Sequence, residues 1–179
     1  MKWFKIYSIY YGWFDCMIAQ NYIVASDYLD YDMPKFLLDK VYKVVKGKSA
    51  EEYLYLMNEP GANMLKISLN KDSDKFNFSE YKLLKDSTDL DENELYEINN
   101  FGECLFSTDV LICSTVDDLL TEFSLFENGN GRVLYEKHWN KFPTAEFESL
   151  KAFAYELQLT EKYNFLCTTF LNPGDWTVK

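Results

Sequence analysis

Apolar and polar positions change period several times along these 179 residues, and each change marks an element. Residues 2–10 are β-branched and aromatic with partial alternation, which predicts a strand. Gly12 punctuates, and residues 13–24 read as a second strand that closes an N-terminal hairpin. From Phe36 the period becomes helical, with Phe36, Leu37, Val41, Val44 and Val45 on one stripe. Asp32 is placed to cap that helix, Pro34 falls in its first turn, and Lys43, Lys46 and Gly47 suit its end. Residues 33–46 are therefore predicted as helix.

Three short strands follow at 52–57, 64–69 and 76–83, with turn signals at Asn58-Glu59-Pro60-Gly61 and Asp72-Ser73-Asp74. Their short connections imply antiparallel neighbours. Residues 86–100 hold six acids and few large apolar residues, so an exposed acidic loop is expected there. Another strand is predicted at 103–112. A helix over 116–126 then follows, with Thr115 as its cap and Asp117 and Asp118 in its first turn. Asn128 to Gly131 interrupts it, and 133–139 resumes it. Phe147, Leu150, Phe153, Ala154 and Leu157 define a last helix over 144–157, with Thr144 at its cap. Residues 163–170 read as a closing strand. Hairpins with interspersed helices point to a single α+β domain over 1–179. Its expected architecture is a mixed, mainly antiparallel sheet with the helices packed on one face.

Composition adds a large core and a lopsided charge. Hydrophobic residues make up 47 % of the chain and aromatics 18 %, enough to offset chain entropy in a domain of this length. Between Lys85 and Arg132 there are twelve acids and no base across 46 residues, and the remainder of the chain is nearly neutral, with 17 acids against 18 bases. Such a field attracts cations and cationic macromolecules and repels nucleic acid and anionic lipid. Tyr96, Phe101 and Phe106 lie among those acids, and aromatic anchors within a charged rim describe a protein-binding surface.

Catalytic signatures are weak by contrast. The one histidine, His138, stands between Lys137 and Trp139 with no Ser or Cys arranged beside it as a nucleophile. Cys16, Cys104, Cys113 and Cys167 lack metal-binding spacing, and buried thiols are the expectation for them. The stretch from Asp86 to Glu94 has the acids of a calcium loop but no glycine at its sixth position. No catalytic set, metal or cofactor is therefore assigned. Carboxylate pairs leave a glycosidase-like enzyme as one alternative, and an acidic mimic of DNA that titrates DNA-binding or restriction proteins as another. The first residues lack the apolar run of a signal peptide, and no stretch approaches the length of a membrane span. A soluble, cytoplasmic protein without membrane or nucleic-acid partners is expected.

The layout resembles the small immunity proteins that bacteria encode beside polymorphic or contact-dependent toxins. The resemblance rests on the aromatic N-terminal hairpin, Ser26-Asp27 before the helix at 33–46, the Asn58-Glu59-Pro60-Gly61 turn before paired strands, and Trp139 with Phe142-Pro143 opening the last helix. It implies binding to a cognate toxin domain, often a cationic nuclease, and blockage of its active site or substrate cleft. On that reading Asp86, Asp89, Asp91, Glu92, Glu94 and Glu97 steer the toxin in. Tyr96 adds an aromatic contact, and Asp117, Asp118 and Glu122 contribute from the following helix.

Overall fold

A computed structural model describes residues 2–27, 31–57, 61–70, 74–85 and 100–159. The predicted acidic loop except Asn100, and the predicted closing strand at 163–170, lie outside them. Among the described residues, seven strands form two antiparallel sheets. Strands β1 (Phe4–Tyr10), β2 (Trp13–Ile18) and β3 (Asn21–Ser26) make a three-stranded meander. Strands β4 (Glu51–Met57), β5 (Ala62–Leu69), β6 (Lys75–Leu83) and β7 (Phe101–Leu111) make a four-stranded one. Four helices complete an α+β fold: α1 (Met33–Val45), α2 (Ile112–Ser124), α3 (Gly129–His138) and α4 (Thr144–Leu159).

Residues 13–24, expected as one strand, are divided between β2 and β3 by a two-residue turn. Ala19 and Gln20 both adopt positive φ, 50° and 71°, the conformation a tight hairpin needs to match strand twist. Neither residue advertises that turn, as Asn or Gly would. Among the described residues β3 does not pair with β4, across the α1 connection, so the strands fall into two sheets where one was expected.

The helices gather on one side of the four-stranded sheet. Its inner face carries Leu54, Leu65, Ile67, Phe76 and Phe78, which join the inner face of the three-stranded sheet and residues of all four helices in one core. Aromatic rings link these layers. Phe123 of α2 lies 5.9 Å from Phe4, 6.4 Å from Phe14 and 6.4 Å from Phe142. Phe142 in turn reaches Tyr135 and Phe147 at 5.5 Å each. Most of the described phenylalanines are thus buried where elements meet, each buried ring contributing on the order of 2–3 kcal/mol. On the other face of the four-stranded sheet a second cluster forms around Tyr55, Met57, Ala62, Met64 and Leu83.

Helix α1 follows its sequence signals closely. The Asp32 carboxylate accepts from the Lys35 N–H at 3.3 Å, and also from the Trp139 indole at 3.0 Å. Helix α2 does not. It starts at Ile112 directly from the end of β7, with no side-chain cap, and the Ile112 N–H is taken by the Asp74 carbonyl. Thr115 is buried inside the helix, so Asp117 and Asp118 stand beyond its first turn. That shift of about one turn changes what the acids of α2 do.

Candidate functional site

The acids of α2 face β1. Asp118 accepts from the main-chain N–H groups of Trp3 and Phe4, and Glu122 from that of Ile6 at 3.0 Å and from the Lys2 ammonium. Among the described residues strand β1 is an edge, and its outward N–H groups would otherwise stand open to another strand. Two carboxylates close it. Glu122 is only 4 % exposed, so it turns inward as part of this seam instead of outward to a partner. Asp117 makes no such bond; burial, helped by the neighbouring Asp118 and opposed by Lys2, pushes its carboxyl up to about 6. The other seven predicted contact residues, Asp86, Asp89, Asp91, Glu92, Glu94, Tyr96 and Glu97, lie outside the described residues. Elsewhere in the acidic run, Glu127 pairs with Lys151 at 2.9 Å, while Glu103 and Asp109 are exposed on β7.

Strand β7 pairs on one side only, with β6, among the described residues. Register shifts near Glu80 and Tyr81 interrupt the ladder around Leu105, which is exposed. Leu105 and Phe106 form one wall of a cleft of about 270 Å³ between the two sheets. Its opposite wall is β3 from Asn21 to Val24, and Leu56, Asn63 and Glu80 form its floor. Glu80 occupies an inward position of β6, continuing the register of Phe76 and Phe78, and is only 7 % exposed. Its Oε1 accepts from the Asn63 side-chain amide at 2.6 Å. Desolvation holds the Glu80 carboxyl above the ordinary value, against the opposing effect of the Asn63 bond. Cys16, in the neighbouring core, has its thiol pushed up by burial, with Asp15 and Glu80 adding to the effect, so it stays neutral.

The rim of this cleft is aromatic. Tyr22 of β3 is mostly exposed, and its ring centroid lies 5.9 Å from that of Tyr7. A hydrogen bond to Asp15 raises the Tyr22 phenol above its ordinary value. Asp15 itself accepts from the Ser8 hydroxyl at 2.7 Å, and its Oδ1 is buried without a partner. Tyr7, Tyr10, Tyr11 and Tyr22 are all exposed on the N-terminal sheet and its turn. Exposed tyrosines on this sheet, with Tyr22 at the edge of an acid-floored cleft, fit the composition of protein-binding surfaces.

A larger hollow of about 630 Å³ lies between the start of α1 and the approach to α4. Among its ionic groups, Lys35 stands 4.0 Å from Glu146 and Asp32 holds the α1 cap and Trp139, while Lys141 lines it without an ion pair among the described residues. The smaller cleft, with its unmatched acid, carries the stronger case for a ligand. His138 packs against Tyr11, and its Nδ1 is buried without a hydrogen-bond partner among the described residues. Its ring meets Tyr11 edge-on at 5.2 Å and its carbonyl accepts from the Gly12 N–H. Cys16 and Cys113 are buried as expected, whereas Cys104, on β7, is exposed; Cys167 lies outside the described residues. No group of three potential metal ligands occurs among the described residues, and no described helix is long and apolar enough to cross a membrane.

Glu80 was the residue missed in the sequence. Its signal was present: an acid following Phe76 and Phe78 at strand period, on the apolar face. Comparison with protein-family models, curated proteins and solved structures finds no match to this chain.

Proposed function

We propose that this protein neutralises a cognate bacterial toxin domain, a basic one such as a nuclease, by covering its active site or substrate cleft. The observation that carries the reading is the 46-residue segment of twelve acids without a base. A nuclease gathers lysines and arginines where phosphates bind, so a carboxylate surface is complementary to it and accelerates its approach. Two features of the fold support the reading. Strand β7 lies within that segment and presents Glu103 and Asp109 on an exposed edge. Across the cleft from Leu105, Tyr22, with Tyr7 beside it, supplies exposed rings of the kind that slow dissociation once charge has brought partners together.

The test is protection. Cells producing the toxin domain encoded beside this gene should grow when this protein is co-produced, and the two should co-purify. Replacing Asp89 and Asp91 by Asn, and Glu92 and Glu94 by Gln, should weaken protection. Full protection by that variant, with unaltered association, would overturn the steering role.

A further inference from the structure

We infer that the Glu80 cleft is a receptor for the cationic tip of a single basic side chain, lysine or arginine, presented by the partner. The inference rests on the toxin-binding reading for the identity of the partner, while the chemistry of the pocket stands on its own geometry. Glu80 is more than nine-tenths buried, yet among the described residues its one hydrogen-bond partner is Asn63, on Oε1. No described lysine or arginine forms an ion pair with it, even though such pairs are made at Lys2, Lys40, Lys66 and Lys151. Glu80 lines the cleft, and its Oε2 accepts no hydrogen bond from the described residues. A carboxylate this desolvated is costly without a counter-charge, and a cation entering the cleft supplies one.

The walls fit a side chain, with an apolar stem and a polar tip. Leu56, Leu105 and Phe106 provide apolar surface for methylene groups. The acceptors sit deeper. Beside the Glu80 carboxylate stands the Asn63 side-chain amide, whose nitrogen donates to Glu80 and whose oxygen is an acceptor. Strand β3 adds main-chain acceptors. Ile18 and Asn21 close a two-residue hairpin, so the alternation of the ladder turns the main-chain groups of Tyr22 and Val24 away from β2, toward the cleft. Three kinds of acceptor and no cationic donor describe a site for an ammonium or guanidinium group.

The test uses the full-length protein with its glutamate carboxyl carbons labelled. It is titrated by NMR with n-butylguanidinium, n-butylammonium and the neutral isostere N-butylurea, with the Glu80 signal assigned through its proximity to Asn63 and Phe106. Either or both cations should shift that signal saturably, with a Kd on the order of 1 mM for so small a probe, and should lower its titration midpoint. The urea should do neither. Glu80→Gln should abolish the cation response, and because the midpoint measurement needs no variant, it decides the matter even if that substitution unfolds the protein. No saturable shift with either cation, or an equal one with the urea, would overturn the pocket. If the probes bind and Glu80→Gln holds the toxin domain at least tenfold more weakly, the cleft receives a toxin side chain. If the probes bind and the variant holds the toxin as tightly as before, that assignment is overturned. Failure of the protein to protect against the toxin at all would overturn the proposed function and leave the probe result standing.

Discussion

Asp117 shows how one acid can tie stability to pH. Its carboxyl titrates at about 6 in the fold against an ordinary 3.8. Between those values the folded protein keeps a proton that the unfolded chain has released, so stability falls as pH rises through that window. Above it the ionised, half-buried group costs at most about 3 kcal/mol, less whatever solvent screening recovers. Asp117→Asn should therefore raise the urea midpoint at about pH 7.5 and leave it nearly unchanged at about pH 4. An equal gain at both values would place the effect elsewhere than in the charge. Glu80 has the same sign, since desolvation raises it. Glu80→Gln should stabilise the protein at neutral pH by about 2–4 °C in Tm for each kcal/mol of burial cost removed. Stability gained where cation binding is lost would mark Glu80 as a group retained for binding at the expense of the fold. Tyr11 belongs with them. It is 83 % exposed and holds φ at 45°, a conformation in which Asn is far better tolerated than a bulky ring. Tyr11→Asn should stabilise the first hairpin by about 0.5–1 kcal/mol, measured by chemical denaturation, and a loss of stability would show that its contact with His138 outweighs the turn strain.

The seam between α2 and β1 is the element-level device that most shapes the molecule. Asp118 and Glu122 satisfy the open N–H groups of an edge strand while Phe123 of the same helix packs behind Phe4. Glu122→Ala would leave the Ile6 N–H buried and unpaired, and should cost about 1–3 kcal/mol in urea denaturation. A neutral substitution would mean the bond contributes nothing to the fold. This seam also explains which parts of the sequence were readable. Helices α1 and α4 were legible because Leu37, Val41 and Val44, and Phe147, Leu150 and Ala154, repeat at helical spacing and are buried. The second hairpin was hidden because Ala19 and Gln20 make a turn that Gly or Asn usually makes. The start of α2 was misplaced because β7 runs into it at Ile112 with no breaker residue, and the Asp74 carbonyl, distant in sequence, takes the first N–H. Glu122 flanks the apolar stripe of Leu119 and Phe123, and it is buried because β1 packs against that flank, a long-range contact its local sequence does not announce.

At the scale of the whole molecule, the acidic run divides by task. Asp118 and Glu122 hold the N-terminal strand, Glu127 pairs with Lys151, and Glu103 and Asp109 remain exposed on β7. The formal charge of −11 is therefore partly structural in origin, and the outward field is carried by fewer groups than the sequence count suggests. The Glu80 cleft could not be read from sequence, because it exists only where β3 lies against the four-stranded sheet. Steering by the remaining acids is the claim on which the functional account depends. Its most direct measurement is the association rate of this protein with the neighbouring toxin domain, followed from about 0.02 to 0.5 M salt by stopped flow. The account predicts a rate that falls by about tenfold or more across that range. The protein carrying Asp89→Asn, Asp91→Asn, Glu92→Gln and Glu94→Gln should start slower and lose most of that dependence. An association rate indifferent to salt, or the same slope in both proteins, would contradict it.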